Sequence, residues 1–499
     1  MKKNLFFLAL TAIVAFCACN PKDEKKVYDP AYFSCFGFKA EDNPSVISQD
    51  YIIENPASGK LSFAFPAGAS AEGIKALKVS FELSEAKDED SVPVVKVDGS
   101  EVKDGDVFDF SSPVDFYVSV GNVNTLYSVS VKIKDAPSWK SIAQSEEDVY
   151  NSNPGMAINP VDGYPYFAAR VDNHVFAFKT TSSSIESLTK DQLDDVEADN
   201  PFISCDPDGV PYVIFDDKKT GTSATTKKVS VVKIENGAVS FVGPQSALYA
   251  SENGSFALFP FSSDNVWAAF GAGRNGGTRR NLTLAHYSAS AWELDQKAGE
   301  NSDKRAYYVR SAIKGDKAYL LCFNNLTSGA NVFDIYKYEN STWGDFGSVA
   351  LISTSKEDIG TIYLTNMDID ADDQGNVYIL ATADYDGGGY KLAVTRVSPD
   401  GVRTLIGSPV PAYIHTTTSA NIAVGPDGTP YIVYVANGDY DIAVRYIEPS
   451  SRDWSDEVIL PAASGEAQVR LAGIAFNADG KAFVGLKNKA DKLEVLAAE

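Results

Sequence analysis

Residues able to grip a sugar fall in the polar stretches between aromatic β runs of this chain. They are Arg170 and His174, then Arg274, Arg279 and Arg280 within GAGRNGGTRR, then Asn325. Asp384, Tyr385, Tyr390, His415 and Tyr440 follow in later stretches of the same kind. Aromatic faces stack on the C–H faces of sugars, and forked amide, carboxylate and guanidinium groups take the hydroxyls. The three arginines of GAGRNGGTRR form a basic island suited to a uronate, sulfate or carboxylate. Solvated surface turns have the same composition, which is the plainer reading of these residues.

Metal, nucleotide and nucleophile chemistry have weaker support. Asp368, Asp370 and Asp372 in DIDADDQG look like a calcium loop. The EF-type pattern fails, however, because Asp373 stands where glycine belongs and Ile379 where glutamate belongs. Strand alternation puts Asp368 and Asp370 on one side of their strand. The three histidines, His174, His286 and His415, show no metal-ligand spacing. No phosphate loop, dinucleotide fingerprint or nucleophile elbow occurs, so no cofactor is expected and no catalytic residue is assigned. An acid–base pair drawn from His174 or His415 with Tyr385, Tyr390 or Tyr413, plus an arginine clamp, would make a lyase or glycosidase.

The elements that must position these residues repeat. Seven copies of a small apolar run, an Asp/Gly turn and an aromatic run lie between 155 and 486, from GMAINPVDGYPYFAAR to GIAFNADGKAFVGLK. Aligned on Tyr166, Tyr212, Trp267, Tyr319, Tyr378, Tyr431 and Phe483, they recur at intervals of 46, 55, 52, 59, 53 and 52 residues. That spacing predicts a seven-bladed β-propeller over 136–499. The last copy stops one strand short, so residues 138–144 are expected to complete it and close the ring. In each copy the turn acids serve the turn itself, and the candidate ligand residues occupy the loops at its other end.

Before the repeats, 33–135 reads as about seven short alternating strands, an immunoglobulin-like β-sandwich. The fold class expected for the whole chain is therefore all-β. Its net charge of −23 makes nucleic acid and anionic lipid headgroups unsuitable partners. The cysteines show no CxxC or Cys/His pattern.

The N-terminus reads as an address. Lys2 and Lys3 precede an apolar stretch from Leu5 to Phe16 that is too short to span a bilayer. Its end, Phe16-Cys17-Ala18-Cys19, resembles a bacterial lipobox with Cys19 as the acylated residue. Lys22-Asp23-Glu24 resembles the export signal of Bacteroidetes-type surface lipoproteins. The expected layout is a signal peptide over 1–18, a lipidated cysteine and tether over 19–32, and then the two domains. The phrase VFDFSSPVDFYVSVGNVNTLYSVSVKI (107–133) is similar to the end of an uncharacterised immunoglobulin-like domain of such lipoproteins. The resemblance implies a lipid-anchored outer-membrane protein facing the cell exterior, its ring carried on a spacer. The function expected on that basis is non-catalytic glycan binding as an accessory of an uptake complex. A polysaccharide lyase or glycoside hydrolase at the same loops, or a protein-interaction scaffold, are the alternatives.

Overall fold

The computed structural model describes residues 29–85, 92–149, 153–190, 192–193, 195–222, 226–273, 281–296, 298, 306–324, 332–350, 364–384, 390–413, 420–436, 438–462, 465 and 467–499. Apart from two short 3-10 turns, every regular element described is a β-strand. Among the described residues no helix is long and apolar enough to cross a membrane.

The N-terminal unit packs a three-stranded sheet and a five-stranded sheet on one core. Phenylalanine fills that core: Phe36 packs edge-on against Phe38 and Phe116, and Phe38 against Phe63, Phe65 and Phe110. Strict alternation in Gly59–Phe65, with Leu61, Phe63 and Phe65 buried, supplies one face of it. The immunoglobulin expectation is corrected by the pairing. That fold needs a strand from between the middle strands of the larger sheet to return to the smaller one. Here the only strand between Val102 and Val114 is Val107–Phe108, and it pairs with Leu77–Lys78 outside both sheets. The three-stranded sheet takes all its strands from residues 33–83.

Beyond Trp139 each repeat copy forms antiparallel strands, and in five of the seven the first two join through a turn with an acid before glycine. Asp206 shows how the turn is made. Its Oδ1 accepts the Asp208 and Val210 N–H groups at 3.0 and 2.8 Å. Gly209 takes φ +81°, and a Cβ there would lie 2.8 Å from Asn159 and Val161. The second strands, such as Pro211–Asp217, are buried on both faces, and that one opens with the apolar run Pro211 to Phe215. Outer strands such as Ala291–Gln296 alternate between exposed and half-buried.

The seven-bladed propeller expected from the repeats is corrected by the sheet order. Trp139–Asp148 lies antiparallel on the C-terminal strand Lys492–Ala498, and Ser145 also pairs in parallel with Ile185 of the first copy. That second contact fuses the first and last copies into one eight-stranded sheet in place of two separate four-stranded ones. Its two edge strands, Gly155–Ile158 and Arg470–Phe476, touch each other, so the sheet curls into a near-closed barrel. Ala198–Phe241 forms a curled half-barrel beside it. The first strands of successive copies lie side by side from Gly155–Ile158 round to Arg470–Phe476 and enclose a central cavity.

The two units touch at the sixth copy. Lys134 pairs with Asp427 at 3.0 Å, and Ser450 Oγ donates to the Gly68 carbonyl at 2.8 Å.

Candidate functional site

The central cavity has a volume of about 900 Å³ and is lined by the first strand of every repeat copy. A first strand is an edge strand whose outer N–H groups have no ladder partner, so something must satisfy them where they are buried. Side chains do this between neighbouring copies. Asp368 Oδ2 accepts the Ile422 N–H and the Asn421 Nδ2–H, each at 3.0 Å. Asp370 Oδ2 accepts the Val424 N–H at 2.7 Å, and Asn366 Nδ2 donates to the Ala420 carbonyl. Ser255 Oγ accepts the Val309 N–H at 3.0 Å, two copies further back.

These contacts hold a charged group on one wall. Arg310, in Tyr308–Lys314, donates from Nη1 to Ser255 Oγ at 3.0 Å and to the Val309 carbonyl at 2.8 Å. Among the described residues its other guanidinium nitrogens have no hydrogen-bond partner, and no carboxylate lies within ion-pair distance of them. Burial works against the Arg310 charge and pulls its pKa down, with Asp368 and Tyr308 opposing. On the next strand, burial raises the proton affinity of Asp368 in spite of Arg310. It raises that of Asp370 to a pKa of about 6, against the N–H bonds it accepts and the pull of Lys314. Both carboxylates are half-buried and line the cavity, as does Tyr308. The wall thus carries a fixed cation, two carboxylates that hold protons unusually well, and a phenol.

Of the loop residues expected to bind a glycan, the described ones, Arg170, His174, Asp384, Tyr390 and Tyr440, are not among the residues lining this cavity. Arg170 is committed to Asp199 at 2.6 Å, and Lys218 meets the same carboxylate at 3.0 Å. His174 closes a two-residue hairpin whose tip, Asp172 and Asn173, has positive φ. Tyr440 packs edge-on against Tyr413. Asp384 and Tyr390 face each other in strand register. Arg274, Arg279, Arg280, Asn325, Tyr385, His415 and Cys19 lie outside the described residues. Of the weak calcium candidates, Asp368 and Asp370 line the cavity, whereas Asp372 serves its own turn. Asp372 accepts from the Gln374 and Asn376 N–H groups, Asn376 Nδ2 and the Tyr378 hydroxyl. Among the described residues no cluster of three or more His, Cys, Asp or Glu is placed to hold a metal.

Sequence reasoning missed Arg310 and Tyr308 altogether. The available signal was an arginine interrupting an apolar first strand, next to a copy whose first strand reads MDID.

No protein-family model matches this chain, and no curated protein matches it either. Among solved structures it is similar to an ulvan polysaccharide lyase, with 9% identity over 71% of this chain and 95% of that one at a TM-score of 0.48. Hydrazine synthase of Kuenenia stuttgartiensis gives 12% identity over 69% and 95% at 0.43. The α-L-arabinanase of Penicillium chrysogenum gives 9% over 60% and 92% at 0.37. None of these likenesses carries an assignment, which has to come from the side chains.

Those side chains correct the expectation of a non-catalytic glycan binder working through its loops. Arg170 is spent on an internal ion pair, while the cavity holds carboxylates of raised proton affinity beside an arginine with donors to spare. The expected layout of an immunoglobulin-like spacer carrying a seven-bladed propeller falls with the two fold corrections above.

Proposed function

We propose that this protein is a polysaccharide lyase that cleaves a uronate-containing glycan by β-elimination in the central cavity. The observation that carries the proposal is Arg310, which is fixed through one nitrogen and, among the described residues, has no partner for the rest of its fork. It sits beside two carboxylates with raised proton affinity. A guanidinium matches a carboxylate in a bidentate pair. Pairing with the uronate carboxylate neutralises that group and makes the sugar C5–H more acidic. The Asp370 carboxylate takes that proton, and the electron pair left behind forms the C4=C5 double bond. The C4–O bond breaks, and the departing oxygen takes its proton from the Tyr308 hydroxyl. No oxidant, reductant or water is consumed.

Hydrolysis fits less well. A glycosidase places its two carboxyl groups on opposite sides of the scissile bond. Asp368 and Asp370 lie two residues apart on one strand, ~7 Å along the same wall. An elimination can be run by groups on a single wall.

The test is incubation of the full chain with polyuronates and with neutral polysaccharides, following the ultraviolet absorbance of the unsaturated product. A rise on polyuronates alone is expected. Arg310→Gln should lower it at least ~100-fold, the scale of losing a charge-stabilising group, with an unchanged melting curve. New reducing ends without the chromophore would make the protein a hydrolase, and no cleavage of any glycan would end the enzymatic reading. Placement on the outer membrane through Cys19 belongs to the same proposal. Labelled palmitate that enters the wild-type protein but not Cys19→Ser would support it.

A further inference from the structure

We propose that a second sugar subsite, for an acidic unit, is made by Arg470, Tyr440 and Tyr413 next to the cavity-lining Leu471. The proposal rests on the lyase reading and extends it to how the glycan is held. Arg470 begins the first strand of the last copy, Arg470–Phe476, and the next residue, Leu471, lines the cavity. It is half-buried, and burial pulls its pKa down, with Tyr440 as the one group that opposes. Among the described residues the Arg470 guanidinium has no ion-pair or hydrogen-bond partner. In a chain of net charge −23 that is an unusual position for a half-buried cation.

The aromatic half of the subsite is built with equal care. Tyr413 and Tyr440 meet edge-to-face at 5.8 Å and 86°, and Tyr413 is 38% exposed. Gln468 Nε2 donates to the Tyr440 hydroxyl at 3.1 Å, and the Tyr413 N–H donates to the Val435 carbonyl at 3.0 Å. Tyr440 has φ +60°, a conformation that an aromatic residue adopts only when its surroundings impose it. Asp441, the nearest acid in sequence on one side, is drawn off by Lys489 at 2.9 Å. A flat aromatic surface beside a guanidinium suits a sugar ring that carries a carboxylate.

The test measures binding, so it does not depend on turnover. A uronate disaccharide, a uronate hexasaccharide and the hexasaccharide methyl ester are titrated against wild-type, Arg470→Gln, Tyr440→Asn and Arg310→Gln chains. Asparagine tolerates positive φ, so Tyr440→Asn removes the ring while keeping the backbone. Arg470→Gln and Tyr440→Asn should each weaken hexasaccharide binding about 10-fold, one good charged contact, and leave the disaccharide unchanged. Arg470→Gln should not affect the ester, whereas Tyr440→Asn should. Hexasaccharide affinity unchanged in both variants but lost in Arg310→Gln would overturn the subsite and leave the lyase reading standing. No binding of either uronate by the wild-type chain would overturn both.

Discussion

Asp370 shows how a structural role and a chemical role meet in one side chain. Its carboxylate closes the edge of a neighbouring strand through the Val424 N–H, and the enclosure this requires lifts its pKa from 3.8 to about 6. As the base of an elimination it must be ionised, so the rate should fall as pH drops through about 6. The pH–rate profile of kcat/KM checks this, and Asp370→Asn should remove at least ~100-fold of the activity. Stability should move the other way. Because the folded state holds the proton more tightly, this group favours folding most below about 4, and the benefit is lost as pH rises through about 6. Urea midpoints of Asp370→Asn should therefore change less with pH over that window than those of the wild type. Asp368 and Asp370 could be placed on one strand face from the sequence, because alternation has period two. Their raised proton affinity could not, because it comes from burial between the neighbouring first strands Tyr308–Lys314 and Ala420–Val424, which lie about fifty residues away in the chain.

At the level of elements, the contact between first and last copies carries the closure of the molecule. Gly485 of the C-terminal strand pair faces the first copy, and a Cβ there would lie 2.4 Å from Phe167 and 2.6 Å from Met156. Gly485→Ala should cost ~1–3 kcal/mol as an overpacked core site, read as a lowered urea midpoint with no change of slope. An equal substitution at Gly237, whose added Cβ would meet nothing within 4 Å, would have to overcome only its φ of +77°. The turns were legible in the repeats, because an acid followed by glycine has few other uses between two apolar runs. The pairing of Ser145 with Ile185 was not legible, because a single bridge leaves no periodic trace in composition. Neither was the partner of Val107–Phe108, since short alternating strands declare their faces but not their neighbours.

Over the whole molecule, charge sets a condition on how an acidic glycan arrives. The net charge of −23 repels a polyuronate at long range, whereas Arg310 and Arg470 act at contact inside low-dielectric surroundings. Salt screens the first effect more than the second. Raising ionic strength from low to physiological should therefore increase kcat/KM on a polyuronate by about two- to five-fold, with little change in kcat. A decrease over that range would mean that cations outside the described residues, Arg274, Arg279 and Arg280 among them, dominate capture of the substrate.

The order of residues fixed an all-β chain, the period of its repeats and the positions of the turns, since these follow from local alternation and from the few residues that tolerate tight turns. Which sheets fuse, which strands form the N-terminal core and which charges share the cavity depended on contacts between distant segments. Arg310, Asp368 and Asp370 become a site only because neighbouring first strands must satisfy each other's buried N–H groups. The same enclosure deprives their charges of water.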